Sequence, residues 1–376
     1  METAFKKYKL ILGVFLIWLV LLLLVGHFSQ SLSKWPGLKS CGNKFDPAYY
    51  RWDSGWYTEI SQKGYSYSPD RQSSVAFWPL YPLSIRAAHV ITNLRPGKVA
   101  YDLSILFAFL ATIVIYRLAR LDYPEKTSQY AIFFILFWPA SYFLVAVYPE
   151  SLFVFLAALS LYLGRKKKWL WAGIVAALLA LTKPYGVFMA PTLMAEYFIV
   201  SGKDWKIFFR KRDWWPLLLP IISVVSFAYY NYHKFGNAFA FLQTEKNWGR
   251  GYGNFFLSLA GEARDFIVPP TKLLDGSHSQ YIIYLVSFFF SIWAFRVSWK
   301  KVRRTYLIFP LLILAAALTS GTLTSWSRYM LLGFPILFGP AVWLAEKKYL
   351  KYAWLFVSLA LLLFIANLFV RCYPVE

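Results

Sequence analysis

The sequence predicts an all-α polytopic membrane protein, and three observations carry that prediction. Hydrophobic residues make up 59% of the chain and charged residues only 15%. Apolar runs of about 20 residues recur along it, long enough to cross the hydrocarbon core of a bilayer as helices. Lys and Arg gather in every second short loop between those runs, the bias that orients membrane proteins.

These observations exclude other classes. A length of 376 residues would allow two or three soluble domains, but the composition overrules that reading. A net charge of +22 would suggest nucleic acid in a soluble protein. Here it is accounted for by topology and by contact with anionic headgroups, so no nucleic-acid partner is expected. The two cysteines, Cys41 and Cys372, are too few for a disulfide framework and would pair only if both faced an oxidising side. His27, His89, His233 and His278 show no metal-ligand spacing, and no Gly-rich phosphate loop, Ser-His-Asp signature or internal repeat is present.

In chain order, the first span, Leu10 to Gly26, follows Lys6, Lys7 and Lys9 and lacks a small-x-small cleavage site, as expected of an uncleaved signal anchor. About eleven spans are expected in all, near 9–27, 99–119, 128–146, 150–164, 168–182, 184–201, 214–233, 280–297, 305–320, 328–345 and 352–370. Those at 150–164, 168–182 and 184–201 are short and closely joined, as tilted, broken or re-entrant segments would be. Segment 77–93 is fairly apolar but interrupted by Pro79, Pro82, Arg86 and His89, which reads as a partly embedded or interfacial helix.

A cytoplasmic N-terminus puts Arg117/Arg120/Lys126, Arg165–Lys168, Lys203–Arg212, Arg296–Arg304 and Lys347/Lys348/Lys351 inside. The turns at 148–150, 183 and 322–328 are then outside and nearly bare of basic residues. Two long outside loops, 28–98 and 234–279, are exempt from the rule, and the C-terminus falls outside. Residues 1–376 read as one integral membrane domain of the cell membrane. Asp53, Glu150, Lys183 and Arg328 fall on the same extracytoplasmic face, although none of them set the orientation. Ionisable residues near spans are costly and either snorkel or serve a site.

Each motif has a bland reading beside its functional one. Asp53 lies between Trp52 and Trp56, near Tyr49, Tyr50 and Tyr57. Loop acids are mostly solvated and aromatic belts favour the interface, but an aromatic setting also suits a general base by raising its proton affinity. Phe77-Trp78-Pro79-Leu80-Tyr81-Pro82 is a stiff lead into the interfacial helix and a candidate wall for a lipid chain or sugar ring. Tyr148-Pro149-Glu150-Ser151 suits a helix start, where the dipole favours Glu150, or a substrate contact. Lys183, at the Pro184 break, either snorkels or binds phosphate as a point charge. Arg328, in Ser327-Arg328-Tyr329, is either an interfacial anchor or a bidentate phosphate ligand.

Together these motifs resemble the PIG-V family, the glycosylphosphatidylinositol mannosyltransferase 2 type of membrane glycosyltransferase. The resemblance rests on Arg51-Trp52-Asp53, Trp56-Tyr57, Ile60, Gly64-Tyr65-Ser66-Tyr67 and Ala76-Phe77-Trp78-Pro79-Leu80-Tyr81-Pro82. It continues through Tyr148-Pro149-Glu150-Ser151-Leu152-Phe153, Lys183-Pro184-Tyr185-Gly186 and Ser327-Arg328-Tyr329. Lys183 departs from the pattern, which has Arg there: a cation is kept and bidentate geometry is lost. The compact length and short loops look more like a prokaryotic member than a eukaryotic one.

The resemblance implies a GT-C-like bundle whose large first extracytoplasmic loop carries the catalytic acid. It also implies a polyprenyl-phosphate-linked sugar donor, most often mannose, a glycolipid or glycan acceptor, and an inverting transfer. On that reading Asp53 is the base, and Arg328, Lys183 and Arg51 are candidates for the donor phosphate. Trp52, Trp56, Tyr57, Tyr65, Trp78, Tyr81, Glu150 and Tyr329 are candidates for substrate contact. No cofactor or metal is expected to be required. A lipid transporter or flippase remains the alternative, disfavoured by the missing repeat and the one-sided clustering of charge.

Overall fold

Apolar runs free of internal proline fold as long continuous helices. In the computed structural model, which describes residues 2–32, 46–249, 260–261, 264, 279–320, 322–373 and 375, these are α1 (Glu2–Leu32), α4 (Pro96–Ala119), α12 (Ser279–Lys301) and α16 (Leu350–Val370). Proline begins α4 without breaking it, because the first helical N–H has no intrahelical acceptor to lose. These four helices contain the segments long and apolar enough to cross a membrane. No strand occurs among the described residues.

The remaining expected spans are shorter or broken helices, as the closely joined runs at 150–201 foreshadow. The run at 128–146 is helical only through α5 (Glu125–Leu136); Pro139 follows, and Ser141–Leu144 forms a 3-10 turn. The run at 328–345 is two helices, α14 (Trp326–Leu332) and α15 (Pro335–Ala345), bent by 87°. Counted as one span, that pair raises the number of long apolar crossings among the described residues to five. Helix α6 (Glu150–Arg165) has 16 residues and α7 (Trp169–Ala180) has 12, so they reach about 24 and 18 Å at 1.5 Å per residue. Hydropathy records where side chains partition, and it does not record where the backbone turns.

The helix expected within 77–93 is present as α3 (Leu80–Thr92). It follows α2 (Ser54–Lys63), which opens directly after Asp53. Helix α8 (Met189–Val200) begins after a 3-10 turn at Pro184–Phe188, and α9 (Trp205–Arg210) and α10 (Leu219–Phe235) continue the chain. The short α11 (Ala240–Gln243) and α13 (Arg304–Leu318) follow, and further 3-10 turns lie at Ser74–Ala76, Trp215–Leu218 and Thr244–Trp248.

Packing is tight where small residues let backbones approach. Helices α12 and α15 meet at Gly339, where a Cβ would lie 2.1 Å from Ser298 Oγ and 2.5 Å from its Cα. The Ser298 hydroxyl donates to the Ile336 carbonyl across that seam at 2.7 Å, closing it with a buried hydrogen bond. The first span is held by Trp18, whose indole N–H donates to Ser141 Oγ at 3.0 Å, and by Tyr49, whose hydroxyl donates to the Leu22 carbonyl at 2.9 Å.

At the end of the bundle where the basic loops gather, Arg303 forms a two-point pair with Glu196, both contacts at 2.8 Å. Arg165 pairs with Asp122 at 2.7 Å beside it. These bonds lock the ends of α6, α8 and α13. The opposite end of α6 begins at Glu150, and the broken segments meet there. Residues 137–149 are irregular yet buried almost throughout, as non-helical backbone at membrane depth must be to keep its polar groups satisfied.

Candidate active site

The site grows out of three chain breaks. Pro149 ends the irregular stretch and starts α6, which places Glu150 at a helix N-terminus where the dipole favours its charge. Lys183 is extended just before Pro184, so the break in the apolar run turns its side chain out of any helical ladder. Ser325 takes a left-handed φ of 66° and sets the start of α14, which carries Arg328.

The three charges converge. Lys183 Nζ lies 2.7 Å from Glu150 Oε1, close enough for an ion pair but without the alignment of a hydrogen bond. Arg328 Nε lies 3.6 Å from the same oxygen. Glu150 is fully buried, and the Arg328 side chain is only 4% exposed. The Arg328 guanidinium also covers the rings of Phe143 and Tyr148, at 5.1 and 5.8 Å, a cation–π cradle that stabilises it in low dielectric.

Asp53 joins this group from the first loop. Its backbone N–H donates to the Tyr148 hydroxyl at 3.2 Å, and Val147 N–H donates to the Tyr49 carbonyl, so the two segments run side by side. Trp52, just before it, takes a positive φ of 51°, a left-handed conformation unusual for a bulky residue. That turn leaves the Trp52 ring exposed beside Asp53. One helical turn on, Tyr57 is buried against the same charges. Burial, with the Glu150 and Asp53 carboxylates nearby, holds its phenol well above the usual pKa, against the opposing influence of Arg328. Asp53, Glu150 and Arg328 therefore share one electrostatic neighbourhood, with Lys183 attached through Glu150.

The other candidates divide. Tyr329, next to Arg328, accepts a hydrogen bond from the Tyr185 hydroxyl at 3.3 Å, which ties the Lys183 and Arg328 segments together. Trp56 stacks on Phe77 at 5.7 Å and meets Trp248 edge-on, forming an aromatic wall beside α2. Tyr81 is buried, with its hydroxyl on the Ala100 carbonyl and Ser104. Tyr65 and Trp78 belong to a separate cluster with Phe227 and, for Trp78, Phe241, where the two long loops dock.

Arg51 lies apart from the charge cluster. Its Nε donates to the Val370 carbonyl at 2.8 Å and its Nη1 to the Tyr50 carbonyl at 2.7 Å. It ties the Asp53 turn to the end of α16 and is not placed with Lys183 and Arg328. Cys372, just beyond that end, is disulfide-bonded; the other cysteine, Cys41, lies outside the described residues.

Sequence reasoning misses the part that Tyr148 and Phe143 play in joining Asp53 to Arg328. Tyr148 precedes Pro149-Glu150, where the acid is the more conspicuous residue. Phe143 carries no signal beyond hydrophobicity. Among the described residues no three His, Cys, Asp or Glu side chains meet to hold a metal ion.

The structure resembles ArnT from Cupriavidus metallidurans, solved bound to undecaprenyl phosphate, with a TM-score of 0.56 and 15% identity over 93% of this chain and 63% of that one. It also aligns with the oligosaccharyltransferase of Archaeoglobus fulgidus, at TM-score 0.48 and 13% identity over 99% of this chain and 56% of that one. This chain thus spans less than two thirds of the length of either protein. No curated protein matches the sequence. Residues 31–248, more than half of the chain, match the family model Mannosyltransferase (PIG-V), and that stretch carries Asp53, Glu150 and Lys183. The fold is that of the GT-C glycosyltransferases, and the chain belongs to the PIG-V mannosyltransferase family.

Proposed function

We propose that the protein transfers a hexose, mannose first among the candidates, from a polyprenyl-phosphate donor to a lipid or glycan acceptor at the extracytoplasmic membrane face. The observation that carries this reading is the meeting of Lys183 and Arg328 on one buried carboxylate beside the Asp53 turn. Lys183 and Arg328 hold positive charge beside the Asp53 turn, where a leaving phosphate would need it. Family membership supports a sugar-transfer reaction, and the fold is shared with a protein solved on undecaprenyl phosphate.

In the proposed reaction the acceptor oxygen attacks the anomeric carbon while its proton passes to the Asp53 carboxylate. The bond from the anomeric carbon to the phosphate oxygen breaks, and polyprenyl phosphate departs with inversion at the sugar. Charge on the departing phosphate is stabilised by Arg328 and Lys183, pre-positioned in a site that excludes water. Glu150 acts as their counter-ion, because a fully buried carboxylate on two cations reaches no acceptor. Trp52 offers an exposed face for a sugar ring, while Arg51 holds the turn. The reaction runs without a metal.

The test is transfer from synthetic polyprenyl-phosphate mannose by purified protein with a mixed glycolipid acceptor pool, with and without chelator. Wild type is expected to label an acceptor, and Asp53→Asn to lose on the order of 10²–10⁴-fold, the scale of general-base catalysis. Equal transfer by both proteins removes Asp53 from its role. Donor binding without transfer points to a different sugar or acceptor, and no donor binding returns the protein to the transporter class.

A further inference from the structure

At the other end of the bundle, a cavity of about 420 Å³ opens between α1, α4 and α6, lined by Tyr8, Tyr116, Arg117, Arg120, Leu121 and Tyr162. Its volume falls within the roughly 300–1,000 Å³ of small-molecule sites. Helix C-termini attract arginine simply to complement exposed carbonyls, and Arg120 does donate through Nη1 to the Tyr123 carbonyl at 2.6 Å. That role accounts for only part of what is here. Arg117 Nε donates to the Tyr8 hydroxyl at 3.0 Å, and its guanidinium lies over the same ring. These partners are neutral, and a guanidinium has five N–H donors, so both arginines keep donors beyond them.

The charge balance around the cavity is positive. Lys166 lies over the Tyr162 ring at 5.8 Å and adds a third cation at the rim. Of the nearby acids, Asp122 is taken up by Arg165, and Glu125 is felt at Tyr116. The surroundings also say what kind of anion fits. Helices α1 and α4 are two of the long apolar helices, so the cavity sits at the mouth of a membrane span. Leu12 and Leu16 of α1, one and two turns along from Tyr8, are exposed, an apolar face that an acyl chain can follow.

From this geometry we infer that the cavity is a binding site for the phosphate headgroup of an anionic phospholipid, held by Arg117 and Arg120 with its chains against α1. Basic pockets between membrane helices, rimmed by tyrosine at headgroup depth, suit such lipids. The site is independent of the proposed transfer reaction, and its test does not use that activity.

The test is native mass spectrometry of the detergent-purified full chain titrated with phosphatidylglycerol or phosphatidylcholine. Three proteins are compared: wild type, Arg117→Gln/Arg120→Gln, and Arg210→Gln/Lys211→Gln, which removes the same charge from another basic loop. Wild type is expected to retain phosphatidylglycerol over phosphatidylcholine, the cavity variant to bind it at least tenfold more weakly, and the loop variant to bind as wild type. Equal weakening in both variants would show diffuse attraction and overturn the site. Displacement of phosphatidylglycerol by an equal concentration of inorganic phosphate would make this a soluble-anion site and overturn the lipid assignment. If the double variant does not fold, the single variants Arg117→Gln and Arg120→Gln decide: unchanged lipid retention in both overturns the site.

Discussion

Replacing Glu150 by glutamine removes the charge that Lys183 and Arg328 share while keeping the side chain's shape. At an effective dielectric of about 20, the separations of 2.7 and 3.6 Å correspond to gross attractions of roughly 6 and 5 kcal/mol, before desolvation is subtracted. Desolvation offsets most of this in the intact cluster, but it does not when one partner is deleted. Removing one member of a buried pair costs about 3–5 kcal/mol, because the remaining charges stay buried. Lys183 keeps 14% exposure and relaxes toward water, whereas Arg328 at 4% does not, so the lower half of that range is expected. Stability shifts the midpoint by about 2–4 °C per kcal/mol in chains of 150–250 residues, and by less in longer ones. A fall on the order of 5–10 °C in apparent melting of the purified protein in detergent follows. The double variant Glu150→Gln/Lys183→Met should recover part of that loss, since it removes one orphaned charge. An unchanged midpoint in Glu150→Gln, or strict additivity in the double variant, would refute the argument that the cluster is a mutually neutralising unit.

Two further outcomes follow from the same physics. Gly339→Ala raises helix propensity by up to about 1 kcal/mol, yet its Cβ would meet the Ser298 backbone at 2.5 Å, so a net loss of about 1–3 kcal/mol is expected in thermal melting; a neutral or stabilised variant would show that the α12–α15 seam is loose. The Tyr57 phenol, raised in the folded protein, contributes stability that is fully present below its unfolded pKa of about 10 and is lost as the pH climbs past it, so Tyr57→Phe should flatten the alkaline fall in melting temperature; parallel curves for the two proteins would contradict its burial among Asp53 and Glu150.

Much of the candidate site is legible in the order of residues. Asp53, Glu150, Lys183 and Arg328 stand out because ionisable residues in apolar surroundings carry a cost that calls for a reason. The alternation of basic loops puts all four on one face, and the folded chain brings them into one neighbourhood. Arg51 is harder to read. Sequence offers a cation next to Asp53, but only the folded chain brings the Val370 carbonyl from α16 to its guanidinium. Tyr148 is hidden for the same reason: a tyrosine among many becomes distinctive only when the Asp53 N–H arrives at its hydroxyl.

This division has a physical basis. The helical membrane class, the family motifs and the end of the bundle where basic loops gather all follow from local hydropathy, charge and residue order. The breaks in the runs at 128–146 and 328–345 emerge only in the packed chain, where they deliver Tyr148, Glu150 and Arg328 to a common point. The meeting of Lys183 with Glu150 across a proline turn emerges there too. An apolar side chain partitions into lipid or protein interior alike, so hydropathy is blind to whether a segment crosses the bilayer or turns back inside the bundle. What settles that choice is the pairing of buried backbone groups and charges with partners far away in the chain.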